Sequence, residues 1–189
     1  MRIRKLIAVG ITLFFGLPSM VGAAVSVDGK YFEKKVDVMG RQLHLQGAAL
    51  LRYMVFIKAY AGALYLPEYT EKDQSLDAVA KRLELEYYHP IKKEDFAEAT
   101  RVKIRENVSE REYANLSTRI EELGKLYRDV ESGDRYSLTF VPGQGTVLSL
   151  NGTPLGTIPG DDFANAVFAI WLGENPIDEE FRDRLLGIS

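Results

Sequence analysis

Residues 136–158 read YSLTFV-PGQG-TVLSL-NG-TPLGTI. Three β-type runs, Tyr136 to Val141, Thr146 to Leu150 and Thr153 to Ile158, are parted by Pro142-Gly143-Gln144-Gly145 and by Asn151-Gly152. Asn-Gly between apolar runs is a strong short-range hairpin signal, because both central residues of a two-residue turn need positive φ. The segment therefore reads as antiparallel sheet. Two helices follow it. Asp161 or Asp162 is placed to cap Phe163 to Leu172, which Gly173 ends, and Asp178 to cap Glu179 to Leu186, which Gly187 ends.

Upstream lies the longest amphipathic pattern. Ser109 with Glu112 forms a capping box, and Tyr113, Leu116, Ile120, Leu123, Tyr127 and Val130 recur at steps of three and four. That is one apolar stripe on a helix spanning Ser109 to Val130, suited to packing on a sheet. Lys92 to Glu106 reads as a helix with Phe96, Ala99 and Lys103 on one side. Leu83 to Tyr88 alternates as a strand does. Ser75 to Arg82 reads as a short helix with Ser75 as its cap.

The N-terminal half is β-rich. Val25 to Val38 and Arg41 to Gln46 flank Met39-Gly40, a tight-turn pair. Leu50 to Leu66 is one or two apolar strands in which Arg52 and Lys58 are the charges, and Pro67-Glu68 ends it. The order is strands, helices, strands, helices, without βαβ alternation. That argues for a single α+β domain, a largely antiparallel sheet with helices on one face.

The first residues carry Arg2, Arg4 and Lys5, then an apolar run from Leu6 to Leu17, then Pro18-Ser19 and the small residues Val21-Gly22-Ala23-Ala24. Basic, apolar, then small is the order of a secretory signal peptide. The run is shorter than the about 20 residues a bilayer span requires. Residues 1–24 are therefore expected to be a leader and 25–189 the domain, exported to the periplasm with no membrane span after cleavage. Lys plus Arg 24 against Asp plus Glu 27 gives −3, and loss of the three leader cations takes it to about −6. An acidic chain without a basic stripe is a poor nucleic-acid partner. With no cysteine and only His44 and His89, disulfides, thiolate metal sites and a His-based triad have no material. No cofactor is expected, and a monomer is.

Arg52 is the unusual charge, because a guanidinium taken from water is costly unless paired. It is either exposed or structurally paired, or it faces a ligand and binds a carboxylate or enolate in fork geometry. Tyr60, an even number of residues along, shares its face if the strand is unbroken. Trp171 lies in an all-round apolar helix and reads as core.

Three blocks are similar to the bacterial chalcone isomerase-like family. They are Leu50-Leu51-Arg52 after Gly47-Ala48-Ala49, Lys58 to Pro67, and the long C-terminal string Leu150 to Phe163 with Ala169 to Pro176 and Leu185-Leu186-Gly187. The resemblance spans the mature chain and implies an open-faced β-sandwich, a large antiparallel sheet curved against helices with a ligand cleft between. It makes Arg52 the counterpart of the arginine that polarises the reacting system in the plant enzymes. Tyr60 stands where those enzymes have threonine, as in the fatty-acid-binding branch, where arginine and tyrosine hold a carboxylate. Phe96 and Lys103 replace a tyrosine and an asparagine that would orient a phenolic substrate. The family's Gly-x-Gly-x-Arg pattern is imperfect: Ala49 replaces the second glycine, and one extra residue precedes Arg52.

The leading expectation is non-catalytic binding of a fatty acid or similar amphipathic carboxylate, with Arg52, Tyr60, Phe96, Lys103 and Trp171 as ligand-binding residues. An isomerase (intramolecular lyase) acting on an enone through Arg52 and Tyr60 is the alternative. A third reading, an accessory or envelope interaction protein, would show a cleft filled by Trp171 and Phe168 and an exposed apolar patch elsewhere.

Overall fold

The computed structural model describes residues 23–53 and 56–188. Of the leader expected over residues 1–24, residues 1–22 lie outside them. Seven strands form one curled antiparallel sheet in chain order: β3 (Lys35–Val38), β4 (Arg41–Tyr53), β5 (Ile57–Leu66), β6 (Lys81–Tyr87), β7 (Arg135–Val141), β8 (Gly145–Leu150) and β9 (Thr153–Ile158). A separate hairpin, β1 (Ala24–Val27) with β2 (Lys30–Glu33), precedes them. Three two-residue turns put both central residues at positive φ: Asp28-Gly29, Met39-Gly40 and Asn151-Gly152. The last two match the turn signals, and the Asp-Gly pair divides what reads as one β run.

Among the described residues there are four α-helices: α1 (Lys93–Asn107), α2 (Glu110–Leu126), α3 (Asp161–Leu172) and α4 (Glu179–Leu185). Ser109 Oγ accepts from the Glu112 amide and the Glu112 carboxylate returns to the Ser109 amide, so the capping box forms as read. The helix ends at Leu126, earlier than its stripe, because Tyr127 is already extended and Val130 pairs with Ile91 as a β-bridge. Residues 75–82 are not helical. A 3₁₀ turn, Lys72–Gln74, ends at Ser75, and β6 begins at Lys81. Sheet pairing takes the last residues of this stretch instead, since Lys81 pairs with Phe140 and Arg82 with Thr139 and Tyr65. Gly160, not either aspartate, caps α3, while Asp178 caps α4 by accepting from the Phe181 amide at 2.7 Å.

The sheet has two faces with different company. Toward the helices, Leu64, Leu83, Leu138 and Leu148 join Ile104 of α1, Leu116, Ile120 and Leu123 of α2, Phe163 and Phe168 of α3, and Phe181 of α4 in one core. The other face holds a smaller cluster around Phe32, Leu43, Tyr65 and Val141, and β2 contributes the first of these. An ion cluster borders it: Arg135 bonds Glu84 at 3.0 Å and also Glu86, which Lys30 of the hairpin meets at 2.8 Å.

Close approach fixes one glycine. A Cβ on Gly47, at a register shift in β4, would lie 2.1 Å from the Arg184 carbonyl oxygen and 2.5 Å from that of Leu185. The backbone of α4 packs directly on β4 there.

Buried Lys81, at 0% exposure, points to the helix side. Its ammonium donates to the Asp77 carbonyl at 2.8 Å and lies over the rings of Phe140 and Phe168. Burial, opposed by the charges of Asp77 and Asp161, lowers its pKa to about 8.

Candidate functional site

Between the sheet and α1, α3 and the start of the α4 region lies a cavity of about 240 Å³. Leu83, Leu85, Leu138 and Leu148 contribute from the sheet, and Ile170 and Ile177 from the helix side. Alternation explains the sheet wall. Leu83, Leu85 and Tyr87 on β6 and Tyr136 and Leu138 on β7 are every second residue, so all face the helices.

Aromatic rings make up most of the rest. Phe96 lies 5.3 Å from Tyr87 and 5.3 Å from Tyr136, both edge-on, and stacks on Tyr127 at 5.4 Å. Tyr60 meets Tyr87 at 5.5 Å and Phe181 at 5.6 Å, also edge-on. Edge-to-face contacts of this kind add to burial, because each ring's positive edge meets its neighbour's negative face.

The hydroxyls are largely engaged. Trp171 Nε1 donates to Tyr60 Oη at 2.9 Å. Thr100 Oγ1 and Tyr127 Oη share a bond of 2.9 Å. Tyr136 Oη accepts from the Arg128 amide and donates to the Arg128 carbonyl. Burial raises the phenol pKa of Tyr60 and Tyr87 far above the ordinary range and pushes Tyr127 up to about 12. These phenols are neutral donors or acceptors at physiological pH.

The two charged liners stand on α1 at the solvent side. Asp95 is exposed, and Lys103, whose side chain is 21% exposed, reaches Glu106 at 2.7 Å.

Four of the five residues singled out in the sequence, Tyr60, Phe96, Lys103 and Trp171, meet around this one cavity. Arg52 does not join them; it is exposed. The chain reverses between β4 and β5, so counting alternate residues from 52 to 60 does not carry a face across. Leu51 pairs with Tyr60, then the register shifts and Arg52 pairs with Lys58. Directly opposed residues share a face. Leu51, buried in the helix-side core, therefore holds the place beside Tyr60. Arg52 shares the other face with Lys58, whose hydrogen bond to Asp28 is the main cause of that carboxyl's lowered pKa, with the Arg52 charge a minor one. The slip lies in β5, where Ala59 is passed over between Lys58 and Tyr60. Nor do Trp171 and Phe168 fill the cleft, since Trp171 forms one wall and leaves the space beside it. Sequence reading missed Tyr87, Tyr127 and Tyr136, although the strand alternation and the helical stripe already turn them inward.

Curved antiparallel sheet, one helix layer and an apolar cavity between them define the open-faced sandwich class. The model of the chalcone isomerase-like family matches residues 24–187, and the chain belongs to that family. Among solved structures, a fatty-acid binding protein of Arabidopsis thaliana superposes with a TM-score of 0.69 at 14% identity, over 87% of this chain and 96% of that one. No curated protein matches the chain.

Proposed function

We propose that the protein binds a small amphipathic molecule without transforming it: an acyl chain or comparable apolar body enters the cavity, and a carboxylate remains at the rim beside Lys103. The observation that carries this reading is the separation of charge from depth. Leucines, isoleucines and neutral phenols line the interior, while Lys103 stands at the solvent side. An unpaired carboxylate drawn into such an interior would forfeit its hydration for nothing, so the tail goes in first. That reverses the orientation expected from an arginine inside the cleft. The interior offers no cation among the described residues to stabilise a developing enolate, which favours binding over isomerisation. The name of the Arabidopsis relative, a fatty-acid binding protein, supports the same ligand class.

The volume lies below the roughly 300–1,000 Å³ of drug-sized pockets, so a short or medium chain fits better than a long one. Each buried methylene contributes about 0.8 kcal/mol, and the tail dominates affinity. The leader pattern of residues 1–24 supports export and a periplasmic location. Titration with straight-chain carboxylic acids, followed by Trp171 fluorescence, tests the binding reading. Affinity should rise about fourfold per methylene and then level off as the cavity fills. A flat response across chain lengths overturns it.

A further inference from the structure

We propose that the end of the sheet formed by Tyr53, Phe56 and Ile57 docks the protein on an anionic lipid surface. Tyr53 ends β4, Phe56 immediately precedes β5 and Ile57 opens it; they are 63%, 87% and 48% exposed. Nothing in their own strands requires apolar residues to face water. Burial of the neighbouring Leu51 and Tyr60 shows that the apolar demand of the core is met by other residues.

Charge accompanies them. Arg52 and Lys58 pair across the two strands directly behind the apolar residues. Lys58 is shared with Asp28 at 2.8 Å, whereas Arg52 makes no ion pair among the described residues. Apolar and aromatic side chains in front with cations one step behind is the arrangement of an interfacial anchor: rings sit at headgroup depth, and long basic chains reach back to phosphates. A shallow groove behind, lined by Phe56, Ile57, Lys58, Tyr88 and His89, offers room beside those cations.

Charge favours lipid as the occupant: Arg52 and Lys58 stand beside the exposed rings and match an anionic headgroup layer. A few partly inserted side chains with one or two phosphate contacts suffice for reversible membrane association. The position also serves the cavity. Ala59, two residues beyond Ile57, is part of its wall, so docking brings that wall within about 7 Å of the lipid surface along the strand.

The chain has no cysteine, so a single introduced thiol can be labelled uniquely. An environment-sensitive fluorophore on Tyr53→Cys is compared with one on Tyr69→Cys. Tyr69 is 90% exposed and follows the far end of β5, about 30 Å away. With vesicles of phosphatidylglycerol in phosphatidylcholine, the label at 53 should shift to the blue and the label at 69 should not. Added salt should weaken the effect. Phe56→Asp in the Tyr53→Cys background should lower vesicle affinity at least about tenfold while leaving the melting temperature unchanged. No shift at 53, equal shifts at both positions, or an unchanged affinity for Phe56→Asp overturns the proposal. So does a concentration-dependent shift at 53 without vesicles, which would make this end a contact between copies of the chain. Trp171 fluorescence with a soluble acid reads the cavity separately, so failure of docking and failure of ligand binding are distinct results.

Discussion

The indole of Trp171 on α3 donates a 2.9 Å hydrogen bond to the hydroxyl of Tyr60 on β5. The bond spans the cavity's edge and ties the helix layer to the sheet at the point where the two separate to leave space.

Tyr60→Phe removes the acceptor and leaves the indole N–H without its partner. A neutral hydrogen bond contributes about 1 kcal/mol net, so the melting temperature should fall by about 2–4 °C in a domain of this size. The emission maximum of Trp171, the chain's sole tryptophan, should move with it. A variant with unaltered melting and emission would show that the bond does not persist in solution.

Lys103→Ala should weaken binding of a medium-chain carboxylic acid about tenfold, since a hydrogen bond to a charged group contributes about 1.5–3 kcal/mol. The alcohol of equal chain length should bind the variant as it binds the wild type. Arg52→Ala, at an exposed position outside the cavity, should change neither affinity. Titrations of the three proteins with both ligands check this. Equal losses for acid and alcohol in Lys103→Ala would place the head group elsewhere.

Lys81→Met should stabilise the fold by about 1–3 kcal/mol at neutral pH, because an ammonium without a carboxylate partner leaves the core. The sign of the pH dependence follows from the lowered pKa. Between about 8, the folded value, and the ordinary lysine value of 10.5, the unfolded chain binds more protons than the folded one. Wild-type stability contributed by this group therefore rises with pH across that window. Denaturant melts of both proteins from pH 7 to 10 should show the variant's advantage shrinking as pH rises. A constant difference would mean that Lys81 stays charged throughout.

Gly47→Ala should destabilise by about 1–3 kcal/mol, because the new methyl meets two carbonyl oxygens of α4 rather than a side chain that can turn aside. Thermal melts decide it. A neutral result would show that α4 shifts off β4 easily.

The sheet's C-terminal meander was legible because Asn151-Gly152 and the apolar runs around it act locally, and the α2 stripe because its capping box marks where it starts. What sequence could not supply was the turn between β4 and β5. Face alternation holds only inside one strand: Leu51, not Arg52, opposes Tyr60, so Arg52 falls on the outer face, and the skipped Ala59 turns Lys58 outward beside it. The cavity was half visible for a related reason. Phe96 and Lys103 share a helix face and could be paired by counting. Tyr87, Tyr127 and Tyr136 come from three separate elements, and only packing assembles them.

The mutual wedging of Phe96, Tyr87, Tyr127 and Tyr136 makes that wall stiff, since no ring can swing without displacing two others. The α3–α4 connection, which carries the cavity liner Ile177, is pinned too: Asn175 exchanges hydrogen bonds with Asn107 at the end of α1. A container with rigid sides measures its contents. A methyl branch that a pliant pocket would accommodate is penalised here as overpacking, about 1–3 kcal/mol, so straight chains would be sorted from branched ones by shape before any polar contact is made.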